Sequence, residues 1–288
     1  MQHAEKHYQA LAGKLDHPPG DADTLRVHIA DPRRLTTEEL AALRDSCRRH
    51  NFALFRLDRD EAAPEKALPI LGTQLGLQRL DRNLCAEDSG LSALADKQGA
   101  ADARYIPYTN RPLSWHTDGY YNPPDRQIRA WLLYCAQDAA EGGENAVLDH
   151  DIAWLRLYDH DPALIRALMA DDAFTIPANQ AEGTELRPAQ TGPVFSYMED
   201  NGHLHMRYSA RQRNVEWKDD AAVRTAADFL LQLFSGGDDH IFRYRLQPGE
   251  GLISNNALHC RSGFRDDPPA GKTRLMYRAR YYDRMSDT

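Results

Sequence analysis

Nowhere do the 288 residues hold an apolar run approaching the ~18 that a membrane span needs, so no transmembrane segment is expected. The opening segment, residues 1–16, is polar and lacks the apolar stretch of a signal peptide. Cysteine is scarce: Cys47, Cys85, Cys135 and Cys260 are scattered and form no C-x-x-C pair. This excludes a disulfide framework of the kind small secreted domains use, and points to reduced thiols in a cytoplasmic protein. Positive charge is also in deficit. A net charge of −8 supplies no general basic field, which argues against nucleic acid as a partner and leaves a small molecule as the expected one. There is no internal repeat and no low-complexity linker. One catalytic domain over 1–288 is the simplest division, with self-association into a homo-oligomer left open.

What is present suffices for a sizeable core, since 42% of the residues are apolar. Residues 25–30 alternate like a short strand. Thr36, Thr37, Glu38 and Glu39 open a helix with an N-cap and first-turn acids, running to about His50. Residues 52–57 then read as a strand and 67–77 as a second helix, giving an α/β amino-terminal portion over 1–104. Residues 79–103, polar and rich in Gly and Ser, read as a long, mobile loop. From residue 105 to 284 the texture changes to many short strands, at 127–136, 173–178, 193–198, 203–208, 240–246, 251–255 and 273–283. Helical patches at 152–169 and 221–234 interrupt them. The expected class is α+β, mainly β, with a sandwich or barrel core and flanking helices.

The chemistry concentrates in Ser114-Trp115-His116-Thr117-Asp118-Gly119. In an extended chain residues two apart share a face, so His116 and Asp118 can bind one ion while Thr117 points away. The third candidate ligand is His259, in Leu258-His259-Cys260-Arg261-Ser262-Gly263-Phe264. Two imidazoles and a carboxylate on one coordination face leave the opposite face open, as an iron that binds a chelating cosubstrate and O2 requires. Downstream, Arg274, Met276, Arg278 and Arg280 occupy alternate positions of a strand and so share a face. Burying three guanidiniums without anions is costly, so some must meet a carboxylate of the protein or of a ligand.

The HTD element, the late LHCRSGF histidine and the R-x-M-x-R-A run from Arg274 to Ala279 resemble the taurine/2-oxoglutarate dioxygenase family, including its γ-butyrobetaine hydroxylase-like branch. The resemblance implies a double-stranded β-helix (jelly-roll) core that carries His116, Asp118 and His259 as ligands of Fe(II). It also implies 2-oxoglutarate and O2 as cosubstrates, with succinate and CO2 released. Arg274 would bind the distal carboxylate of 2-oxoglutarate, with Arg278 an alternative for that role, because residues 266–271 lengthen the interval after His259. Asn145 stands where the taurine enzyme has a threonine that helps hold this carboxylate. Halogenating relatives lack the ligand carboxylate, so the presence of Asp118 favours hydroxylation or desaturation.

Substrate hints are fewer. Tyr108, Asn110, Trp115, Tyr120, Tyr121 and Trp131 flank the metal motif and could enclose a quaternary ammonium, although core packing is the ordinary role of each aromatic. Arg278 favours a carboxylate, sulfonate or phosphonate, and a zwitterion satisfies both hints. Arg207, Arg211 and Arg213 could line the mouth of the site or belong to a solvated face. Two other classes fit part of the pattern: a zinc-type hydrolase, which would not need the arginine strand, and a non-catalytic β-helix protein with a structural metal.

Overall fold

A computed structural model of the protein describes residues 2–58, 63–81, 90–96, 105–181, 184–211 and 215–288. The chain mixes helix and sheet and divides into two compact units.

One unit comprises Pro19–Leu113, Ile128–Val147 and Phe242–Thr288. Its entry is dictated locally. Thr36 Oγ1 accepts the Glu39 N–H at 3.1 Å while the Glu39 carboxylate accepts the Thr36 N–H at 2.7 Å, a closed capping box that starts the helix Thr37–His50. Asn51, at φ 57°, ends it and turns the chain into the strand Phe52–Leu57, which pairs in parallel with Arg26–Ile29. Six strands then lie in the order Arg26–Ile29, Phe52–Leu57, Glu250–Ser254, Ala130–Gln137, Leu275–Tyr281 and Ser92–Leu94. Both faces are covered, which is why Phe52–Leu57 is apolar almost throughout rather than alternating. Ala53, Phe55, Leu132, Tyr134 and Ile253 pack into one core cluster, and Phe52, Leu54, Trp131, Cys135 and Leu252 into another. Each fully buried Leu or Phe here contributes about 1.5–3 kcal/mol.

Ser92–Leu94 corrects the expected loop at 79–103. It pairs antiparallel with Met276–Arg278, its three residues being too few to carry a periodic signal. The loop's residues 82–89 and 97–103, and Cys85, lie outside the described residues. Three further strands, Phe242–Tyr244, Asn145–Leu148 and Leu258–Arg261, run side by side.

The other unit comprises Met1–Pro18, Ser114–Gln127 and Leu148–Ile241. The single helix expected at 152–169 is two, His150–His160 and Pro162–Leu168. Pro162 has no N–H to continue the first helix. Asp161, extended at φ −162°, instead caps the second by accepting the Ala163 N–H at 2.8 Å. Ala221–Gly236 packs on both helices, beside the three-stranded sheet of Gln190–Gly192, Phe174–Ile176 and Glu216–Trp217. Among the described residues no helix is long and apolar enough to cross a membrane.

Candidate active site

The strand Leu113–His116 delivers the HTD element, and the segment Tyr208–Ala210 fixes it. Ala210 N–H donates to the Trp115 carbonyl (2.8 Å), Thr117 N–H to the Tyr208 carbonyl (3.0 Å), and Tyr208 N–H to Thr117 Oγ1 (3.1 Å). Thr117 is therefore turned into the protein, as the alternation predicts, and its neighbours are turned together the other way. His116 and Asp118 are both buried, with His116 Nε2 3.7 Å from Asp118 Oδ1. That separation is too long for a hydrogen bond, but suits two donor atoms each about 2.1 Å from one ion. His116 Nδ1–H donates to the Ser114 carbonyl at 2.9 Å. Because a carbonyl only accepts, the proton sits on Nδ1 and the lone pair on Nε2, the nitrogen that faces Asp118.

His259, on the strand Leu258–Arg261, repeats the arrangement. Its Nδ1–H donates to the Ala257 carbonyl at 3.0 Å, which again leaves Nε2 as the coordinating atom. Its ring lies 4.8 Å from that of Trp131, at 52°. His116 with Asp118 beside it, and separately His259, thus offer pre-aimed imidazole nitrogens and a carboxylate oxygen, donors of the kind a divalent iron takes.

Arg274 and Asn145 line one small cavity, together with Cys135, Asp138, Arg245 and Met276. Arg274 is 4% exposed, its guanidinium 5.0 Å over the Phe264 ring. Among the described residues no carboxylate side chain reaches ion-pair distance of it. Burial alone pushes its pKa down to about 10, against weak support from Asp266. Close approach is secured by Gly143, at φ +75°, where a Cβ would stand 3.4 Å from Arg274 Nε. The Asn145 amide nitrogen is buried with no hydrogen-bond partner among the described residues. The cavity therefore offers surplus donors, and an anion of carboxylate type is what would satisfy them.

The expected cationic face is present. Met276, Arg278 and Arg280 pair with Cys135, Leu133 and Trp131, although a bulge separates Leu275 from Met276. Arg280 meets Asp81 in a buried ion pair, so one of the three guanidiniums finds a protein carboxylate. Arg278 is half-buried opposite Ser92 and Leu133. Tyr108 and Trp131 belong to a core cluster, as their ordinary role predicts, while Asn110 is exposed and its carbonyl accepts the Phe264 N–H. Trp115 stacks on Phe234. Tyr120 is half-buried, its ring 6.3 Å from His116, and Tyr121 lies under Arg187.

Arg207 corrects the reading of Arg207, Arg211 and Arg213 as lining a mouth or a solvated face. It is buried, and its guanidinium donates to the carbonyls of Gly192 (2.9 Å), Pro193 (3.2 Å), Gln190 (3.2 Å), Tyr120 (3.4 Å) and Phe174. Arg211 is half-exposed, and Arg213 lies outside the described residues. A second cluster of metal-ligand type, Asp149, His150 and Asp151, carries no signal in the sequence reading. It already holds a cation: Lys14 Nζ donates to both carboxylates at 2.7 Å.

Residues 12–280 match the family described as taurine catabolism dioxygenase TauD, TfdA family. The chain belongs to that family. This TauD/TfdA-family dioxygenase also shares its fold with solved structures at low sequence identity. Asparagine oxygenase in complex with Fe(II), 2S,3S-3-hydroxyasparagine and succinate is 15% identical, with a TM-score of 0.58 over 98% of this chain and 91% of that one. The non-haem iron oxygenase OrfP with Fe, succinate and (3S)-hydroxy-L-Arg is 16% identical, with a TM-score of 0.65 over 87% and 82%. PvcB of Pseudomonas aeruginosa is 14% identical, with a TM-score of 0.60 over 92% and 90%.

Proposed function

We propose that the protein is an Fe(II)- and 2-oxoglutarate-dependent dioxygenase that hydroxylates or desaturates a C–H bond of a small zwitterionic or anionic metabolite, with release of succinate and CO2. The observation that carries the reading is the pairing of His116, its Nδ1 committed to a carbonyl, with a buried carboxylate 3.7 Å from its Nε2, in a TauD/TfdA-family chain. His116, Asp118 and His259 would hold the iron. Bound iron with 2-oxoglutarate supplies the oxidising chemistry, coupling O2 reduction and loss of CO2 to oxidation of the substrate. The family resemblance supports a jelly-roll core and a single catalytic domain over 1–288. A cytoplasmic location is part of the same reading, supported by Cys135 and Cys260 being free thiols.

The protein's own task is placement. Arg274, donating from a buried position, would fix the distal carboxylate of 2-oxoglutarate, and the Asn145 amide would add a donor. Arg278 is the candidate for an anionic group of the substrate, with Tyr120 beside the metal ligands. Two of the solved structures hold hydroxylated amino acids, 2S,3S-3-hydroxyasparagine and (3S)-hydroxy-L-Arg, which makes free amino acids the first substrate class to screen.

The test is anaerobic titration of metal-free protein with Fe(II) and 2-oxoglutarate, following the weak visible band of the iron chelate. The band should form in the wild type and vanish in His259→Ala. Iron binding without the band would overturn the reading in favour of a hydrolytic or structural metal.

A further inference from the structure

Arg261 stands two residues after His259 and has no role in the reading so far. It is 6% exposed, and its Nη2 donates to two carbonyls of one loop, Thr109 at 3.0 Å and Arg111 at 2.5 Å. The Phe264 N–H takes the carbonyl between them, Asn110, at 3.1 Å. Three consecutive carbonyls of residues 109–111 are thus held by the segment 261–264, and the chain runs on from this loop into the strand that ends at His116. Both bonds come from the two N–H of one Nη2 amino group, whose directions are fixed by the guanidinium plane, whereas an ammonium turns freely on a flexible stem.

The other side of Arg261 is not satisfied. Its Nε–H is buried with no partner among the described residues. Its charge lies 4.8 Å over the Phe264 ring, the same ring that carries Arg274 at 5.0 Å. Neither guanidinium is bonded to a carboxylate side chain among the described residues, and Asp96 and Asp266 act on them only from longer range, so two like charges share one water-poor patch around a single phenyl ring. Relief is easiest through the less encased of the two. Arg274 is packed against Gly143 and Phe264, whereas Arg261, besides the same ring, is held by hydrogen bonds to carbonyls of a loop, and a shift of its side chain releases that loop. A carboxylate on Arg274 cancels the repulsion and lets Arg261 keep its grip.

We propose that Arg261 is a positioning residue that couples occupancy of the carboxylate site at Arg274 to the order of the Thr109–Arg111 loop, and so to the segment that leads into His116. The inference rests on the reading of Arg274 as the 2-oxoglutarate anchor.

Hydrogen exchange, read by mass spectrometry with and without 2-oxoglutarate on the Mn(II)-loaded full chain, tests it without turnover. In the wild type, 2-oxoglutarate should slow exchange in peptides covering residues 105–113 by about tenfold, with residues 221–236 unchanged. In Arg261→Gln that slowing should fall below about twofold, while the dissociation constant of 2-oxoglutarate by calorimetry rises no more than about threefold. Equal slowing in wild type and variant overturns the coupling, and so does wild-type binding with no slowing at all. If calorimetry finds no 2-oxoglutarate binding in the wild type, the anchor role of Arg274 fails first and the coupling falls with it. If Arg261→Gln does not fold, Arg261→Lys replaces it, and full slowing in that variant overturns the role of the planar guanidinium.

Discussion

Arg207 and Arg274 are both buried guanidiniums, both lie 5.0 Å over a phenylalanine ring, and burial pushes the pKa of each down to about 10. They differ in what their donors meet. Arg207 sits in a cage of five backbone carbonyls, whereas the side chain of Arg274 opens on a cavity that also holds the unpartnered amide of Asn145. Burial and a depressed pKa therefore do not identify a ligand site. The count of unspent donors does, because a satisfied guanidinium holds its surroundings together while an unsatisfied one waits for an anion.

The comparison yields graded expectations. The largest effect lies outside both arginines: His116→Ala or Asp118→Ala should lower turnover at least ~1,000-fold, with far-ultraviolet circular dichroism unchanged, since each removes a metal ligand. A variant with normal turnover would take that residue out of the metal site. Arg274→Ala should raise the apparent KM for 2-oxoglutarate about 30–100-fold, worth about 2–3 kcal/mol for a charge-assisted anchor, with little loss of stability in urea. An unchanged KM would transfer the role to Arg278. Arg207→Ala should do the reverse, costing about 3–5 kcal/mol in urea unfolding by stranding buried carbonyls, while folded enzyme keeps its KM for 2-oxoglutarate. If Arg207→Ala moved KM and left stability alone, the distinction between caged and open guanidiniums would collapse. The smallest effect is that of Asn145→Ala, expected to raise the same KM about three- to tenfold, the loss of one neutral hydrogen bond, measured by succinate release.

How much of this was legible in the sequence follows the range of the interactions. The Thr36–Glu39 capping box, the meeting of His116 with Asp118 and the alternation through Met276, Arg278 and Arg280 are set by residues within a few positions of one another, and each is found where it is expected, although the strand stops at His116 and Asp118 already lies in a turn. The break at Asp161-Pro162 was equally local, but the apolar spacing on either side of it outweighed the proline. Ser92–Leu94 exists because Met276–Arg278 offers it a partner, and the cage around Arg207 draws carbonyls from residues 120, 174, 190, 192 and 193. Main-chain oxygens gathered from such distances leave no trace in side-chain identity. Arg207 and Arg274 are for that reason alike on paper and unlike in the fold. The family resemblance supplied what spacing could not, the assignment of Arg274 ahead of Arg278.

The aim of His116 and His259 is set by carbonyls two residues upstream, at Ser114 and Ala257, and a main-chain oxygen is the same whatever side chain hangs beside it. The part that sights the imidazoles is thus exempt from mutation at the positions that supply it. Ser114, which is exposed, is free to drift, and Ala257 is held by its place in a core cluster and not by the carbonyl it supplies. A search for the site that tracked only invariant letters would find the ligands while overlooking what points them.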